Sequence, residues 1–173
     1  MQLLRRTLML GGVLSIALSS ATSLSGQTKT LPTDHLTGTW KINLAKSKYS
    51  PADLAPRSGQ TRITVTTAGI KVSTDGINAQ GKSTHTEYTA KFDGKDYPAT
   101  GTVDGKPNTN LDAVSWKQID EWNYEITEKL KGKVTTVSHI AIEHDGRTRT
   151  NTVTGTNAQG QVVNHTIVYE KQS

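Results

Sequence analysis

The chain has 173 residues, no cysteine, a single phenylalanine and a formal charge of +5. That length favours one domain, and the lack of cysteine excludes disulfides, thiolate metal sites, cysteine nucleophiles and a lipid-bearing cysteine. Arg5 and Arg6 supply two of the five charges, and the other Lys and Arg residues are scattered rather than clustered. A nucleic-acid partner is therefore not expected.

Taken in chain order, the first feature is a processing signal. Arg5 and Arg6 form a positive start, Leu8 to Ala17 is an apolar run, and Ser19 to Ser23 are small residues that a signal peptidase can cut. Residues 1–26 are thus expected to be a signal peptide, with cleavage between Thr22 and Gly26 and an exported product, periplasmic or extracellular. The apolar run is shorter than the ~20 residues a bilayer span needs, so no stable membrane insertion is expected after its removal. Residues 27–36 are polar, contain Pro32 and read as an N-terminal arm. Residues 37–173 are the expected β-barrel domain.

Thr37 to Asn43 reads as a first strand, and Leu44 to Ser58 carries two prolines and no alternation. Ser50-Pro51-Ala52-Asp53 has the residue order of a helix start, with Ser as N-cap and Pro at the first position. From Gln60 onward the signal is period two, punctuated by glycine turns. Ile63 and Val65, then Ile70 and Val72, alternate with polar neighbours. Ser83 to Phe92 places Thr84, Thr86, Tyr88, Ala90 and Phe92 on one face, and Asp93-Gly94 reads as a two-residue turn into Asp96 to Thr100. Gly101 to Asn110 reads as a loop. Five further strands are expected over Leu111–Ile119, Trp122–Leu130, Val134–Glu143, Thr148–Thr154 and Gln161–Glu170, separated by hairpin-length turns. Consecutive strands joined this way pair with each other, and closing the meander removes its unpaired edges. The expected fold is all-β, an antiparallel meander of about 8–10 strands closed into a barrel. An immunoglobulin-like sandwich would need longer crossing connections.

Asn78-Ala79-Gln80-Gly81 and Asn157-Ala158-Gln159-Gly160 are copies, each followed by a strand with a histidine (His85, His165) and a tyrosine (Tyr88, Tyr169). Two explanations are open: an internal duplication, or convergence of two hairpins on the residues that left-handed turn positions favour.

Gly38-Thr39-Trp40-Lys41 on the first strand, ahead of an antiparallel meander, resembles the calycins, the group of lipocalins and fatty-acid-binding proteins. Thr166-Ile167-Val168-Tyr169-Glu170-Lys171 is similar to the last strand of the fatty-acid-binding proteins. The wider pattern from Gly38 through Asn43-Leu44-Ala45-Lys46-Ser47-Lys48-Tyr49 resembles a group of small exported bacterial proteins. The resemblance implies a lipocalin-like barrel with Gly38 and Trp40 as structural motif residues, and a late basic residue, Lys171 or Arg149, over the tryptophan. It also implies a ligand carboxylate held by an arginine two residues before the last-strand tyrosine. That position is Ile167, so the usual hook is missing, and Arg147 or Arg149 is the available substitute. About fifteen irregular residues between the first two strands leave no room for a two-helix lid.

The strands are rich in Thr and Ser and the chain is only 33% hydrophobic. Such an interior is either narrow and filled by its own side chains, or partly hydrated and able to take a small ligand. The first outcome implies a structural or interaction protein of the envelope; the second, a carrier of a small apolar or amphipathic molecule. The carrier is the preferred expectation, with Tyr88, Trp116, Tyr124, Arg149, His165 and Tyr169 as ligand-binding candidates. His35, His85, His139, His144 and His165 lack metal-ligand spacing, although His139 and His165 lie on strands that could be near neighbours. No nucleophile motif, phosphate loop or carboxylate pair appears, so no enzyme activity, catalytic residue, metal or cofactor is assigned.

Overall fold

The fold is described for residues 34–173 by a computed structural model. The expected signal peptide and most of the N-terminal arm lie outside the described residues. The strands are β1 Gly38–Ile42, β2 Ser58–Thr66, β3 Gly69–Ile77, β4 Ser83–Ala90, β5 Tyr97–Val103, β6 Lys106–Pro107, β7 Ala113–Gln118, β8 Asn123–Leu130, β9 Lys133–Ile142, β10 Thr148–Thr156 and β11 Val162–Lys171. All pairings are antiparallel between chain neighbours, except that β5 reaches past the short β6 to β7, and β1 joins β11. The β4–β5 ladder closes the last seam. The result is a ten-stranded closed barrel, with β6 attached only to β5. This is the all-β meander that the alternation predicts, and its layout is compatible with a calycin-like fold.

The ladders explain which residues face inward. Ile70, Val72 and Thr74 on β3 lie opposite Ala90, Tyr88 and Thr86 on β4. Tyr124, Ile126 and Glu128 on β8 lie opposite Ile140, Ser138 and Thr136 on β9. Period-two side-chain direction then sends each of these sets into the barrel.

One end of the barrel is a packed plug. Trp40 and Leu36 are completely buried there, and the indole Nε1 donates to the Leu36 carbonyl at 2.7 Å. Leu36, in the segment read as a polar arm, is thus a core residue. Gly38 takes a φ of +143°, a backbone conformation that residues with a Cβ rarely adopt, so the glycine of the Gly-x-Trp motif is required by its backbone, and a Cβ there would also push aside the end of the Lys171 side chain. Both basic residues proposed for the tryptophan reach it: Lys171 Nζ lies 5.1 Å and the Arg149 guanidinium 5.2 Å from the ring centre. Phe92, Trp116 and Tyr124 extend the plug, with ring centres 5.7–6.4 Å apart.

Several local expectations are corrected. The one or two helical turns expected after Ser50 are a single 3₁₀ turn, Ala52–Leu54, but Pro51 and not Ser50 stands at its N-cap, without a side-chain cap and after a cis Ser50–Pro51 bond. Asp93-Gly94 is not a tight hairpin, because residues 91–96 splay out and bridge to β7 through Asp93 and Lys117. The chain needs that span because β5 pairs with both β4 and β7. Residues 101–110 are not all loop, since β5 runs on to Val103 and turns into β6.

The two Asn-Ala-Gln-Gly turns share one geometry. In each the asparagine side chain accepts the N–H of the residue four further on at 2.9 Å, and the glycine φ is about +80°. The strands that follow share one phase, since Thr86 and Tyr88 in one and His165, Ile167 and Tyr169 in the other all stand at odd offsets from the glycine and line the interior, but their histidines are not at matching positions. His85 is four residues past its glycine and faces outward onto Asp75, at 2.8 Å, whereas His165 is five past and faces inward. A single residue of offset exchanges the two faces of a strand. The two turns are thus equivalent in geometry, and the two histidines are not equivalent in direction.

Candidate functional site

Above the plug the inward side chains become shorter and more polar, and the barrel encloses a cavity of about 280 Å³. Its wall draws on β2, β3, β4, β7, β8, β9, β10 and β11. The volume lies just below the common range for small-ligand pockets, about 300–1,000 Å³. A larger concavity of about 440 Å³ lies between Leu44 and the Arg57–Gln60 and Asp75–Ile77 segments. It is more open to solvent and contains no buried charged group, so the smaller, enclosed cavity is the better site.

Five of the six sequence candidates line the cavity: Tyr88, Trp116, Arg149, His165 and Tyr169. Tyr124 does not. It is buried in the plug, with its hydroxyl directed to the Glu121 carbonyl at 3.3 Å, and burial pushes its phenol up to about 12. Tyr124 shares inward parity with Ile126 and Glu128, but it sits at the filled end. His139 points outward and is separated from β11 by β10, so it does not approach His165. Arg147 is exposed, whereas Arg149 is buried.

Arg149 dominates the electrostatics. It lies opposite Tyr169 on the neighbouring strand, with the guanidinium 4.2 Å from that ring centre. Among the described residues no acid lies within ion-pair distance of it, and its Nε has no acceptor. Burial lowers its proton affinity from the usual arginine value, while the neighbouring tyrosines oppose that shift. A guanidinium stays charged over the whole physiological range. Two cation–π contacts therefore hold a buried positive charge that still has donor capacity.

Glu128 is the functional candidate that the sequence reading missed. It lines the same cavity, with Oε2 accepting from Thr136 Oγ1 at 2.7 Å. Burial raises its carboxyl pKa, and the Thr136 hydrogen bond only partly counters this. Its signal was present in the alternation Tyr124, Ile126, Glu128, which places a carboxyl at an inward position. Asn151 was missed too. It is buried in the wall with an unpartnered Oδ1, as is Trp116 Nε1. Buried polar atoms are nearly always paired, so this cluster of unmet groups around one void is unusual.

The loop between β1 and β2 runs along β11 beside the cavity residue His165. Lys48 and Thr166 exchange backbone hydrogen bonds of 2.7 and 2.8 Å, and Asn164 N donates to the Ser50 carbonyl at 2.9 Å. The stretch Lys48–Ser50 thus pairs with β11 beyond the end of β1. Tyr49 tilts against the His165 ring at 5.1 Å, and burial and then nearby Tyr169 push its phenol up to about 12. His165 Nδ1 accepts the Ser50 N–H at 3.2 Å, which fixes it as the unprotonated nitrogen; burial lowers the histidine pKa.

Scans of protein-family models and of curated proteins find no match to this sequence. The chemistry of the cavity must then come from its own residues. It offers a fixed cation, a carboxyl, aromatic walls and several hydroxyls, an arrangement suited to holding a polar-tipped small molecule by several contacts at once.

Proposed function

We propose that the protein is an exported carrier that binds a small, partly apolar molecule inside its barrel, with an acidic group of that molecule on Arg149. The observation that carries this reading is Arg149 itself: a buried cation beside a void, without a counter-ion among the described residues. An uncompensated buried charge costs several kcal/mol, and a bound anion would offset that cost. Tyr88, Trp116, His165 and Tyr169 would form the surrounding wall, and Tyr124 would act from beneath as part of the plug. The N-terminal sequence supports an exported location, with residues 1–26 removed. No chemical step is assigned.

A filled barrel acting only through its outer surface is the second reading, and the packed plug around Trp40 favours it. Native mass spectrometry of the protein purified gently from its exported fraction separates the two. A reproducible mass increment that is lost on denaturation, and absent from Arg149→Met, is the outcome expected of a carrier. A bare mass, with no thermal shift from small carboxylic acids, would instead favour the filled barrel.

A further inference from the structure

The carrier reading leaves Glu128 unexplained, because a site for a simple acid gains nothing from a second, negative group. Arg149 and Glu128 line the same cavity without forming an ion pair. The ladder shows why. Glu128 lies opposite Thr136, and Thr136 opposite Gly155, while Arg149 is six residues before Gly155 on the same strand. Six strand residues span about 20 Å, so the two backbones are far apart and the side chains close only part of that gap. Tyr88 lines the cavity with both, and after burial and its contact with Trp116 its phenol pKa is raised by Glu128 and lowered by Arg149.

Each charge site is also incompletely satisfied. A carboxylate can accept from about four directions, but the one hydrogen bond at Glu128 comes from Thr136. Burial keeps Glu128 protonated at higher pH than usual, and a cation placed beside it would reverse that shift. The lining between the two charges is mixed, with Ile126, Ile140 and Ile167 beside Ser138 and Asn151. A short chain with polar ends matches that order.

Resting on the carrier reading, we propose that the cavity selects an extended zwitterion, with its acidic group on Arg149 and an amino group on Glu128. The class comprises ω-amino acids and short peptides, whose opposite charges are several bonds apart. An α-amino acid has its two charges too close together to reach both groups.

Titration calorimetry on the mature protein, with ω-amino acids of four to ten carbons and the matching monocarboxylic acids, tests this. The best ω-amino acid is expected to bind at least tenfold more tightly than its monoacid. Glu128→Gln, which preserves the shape and the Thr136 contact, should erase that preference while leaving monoacid affinity within about twofold. Arg149→Met should lose both ligand types. Thermal midpoints of the variants establish that each remains folded. If monoacids bind as tightly as their amino counterparts, or Glu128→Gln leaves the preference intact, the zwitterion is wrong and the carrier stands. If no ω-amino acid binds, the inference is likewise overturned. The native mass spectrum then decides whether the carrier reading falls with it.

Discussion

The same strands build two different interiors. Along β3 the inward side chains pass from Ile70 and Val72 to Thr74 and Gly76; along β9 they pass from Ile142 and Ile140 to Ser138 and Thr136. The apolar ends meet around Trp40, Leu36 and Trp116 and leave no room. The polar ends are shorter, do not fill the barrel and surround the cavity with Glu128, while Arg149, opposite Ile142 and over Trp40, enters the same cavity from the plug side. Burying an isoleucine or valine contributes about 1.5–3 kcal/mol, whereas a buried charge without a partner is a cost. The comparison teaches that the plug supplies the stability and the other half spends some of it on binding capacity.

Substitution in the two halves should therefore have opposite signs. The largest expected effect is on the plug side. Trp40→Ala removes the central ring, its bond to Leu36 and the surface under both basic side chains, and should cost about 3–5 kcal/mol in urea unfolding. A loss under 1 kcal/mol would mean that stability is spread evenly around the barrel.

On the cavity side, Arg149→Met keeps the volume and removes the buried charge. Replacing buried charges with apolar residues is often stabilising, so the empty protein should gain about 1–3 kcal/mol while losing its ligand. A clear loss of stability would show that the two cation–π contacts outweigh desolvation, and that Arg149 belongs energetically to the plug.

Glu128 gives a smaller, pH-dependent effect. Its folded pKa lies above the ordinary value of 4.5, so between those two values the native state holds more protons than the unfolded chain. Stability must then fall as pH rises through that window. Glu128→Gln should be more stable than the parent near pH 7, with the difference vanishing below about pH 4.5; thermal melts across that range measure it.

His165 should show the opposite slope and the smallest shift. Its folded pKa is below 6.5, so stability is present above that value and is lost as pH falls through and below it. Protonation also removes the acceptor for the Ser50 N–H. Protection of the Lys48–Ser50 amides from hydrogen exchange, relative to their intrinsic rates, should fall as pH drops through the lowered His165 pKa in the parent, but not show this step in His165→Gln. Protection that does not change with pH in the parent would mean that the loop is held without the histidine.

Much of the barrel was legible because alternation and turn chemistry are local properties. The strands and their inward faces could be placed from spacing, whereas the Gly38 and Trp40 motif rested on the calycin resemblance and the cavity candidates on the barrel it implied. Tyr124 shows the limit. Its parity correctly sends it inward, but parity cannot say at what height along the barrel a side chain ends, and height separates plug from cavity. Glu128 shows the converse limit: the same parity points it inward, yet a lone acid in a strand of mixed charge draws no notice until a cavity is seen around it. Leu36 was hidden in a polar arm, where nothing periodic marks a single apolar residue as core.

By itself, then, the sequence determined that the described domain is all-β, that its strands pair in chain order, and which side of most strands faces in. These follow from a two-residue period and from turns too short to permit other pairings. Only the tertiary structure decided that Arg149 and Glu128 share one enclosed space and yet stay apart. That outcome depends on ladder register summed across several strands, a long-range quantity that no local window of residues contains.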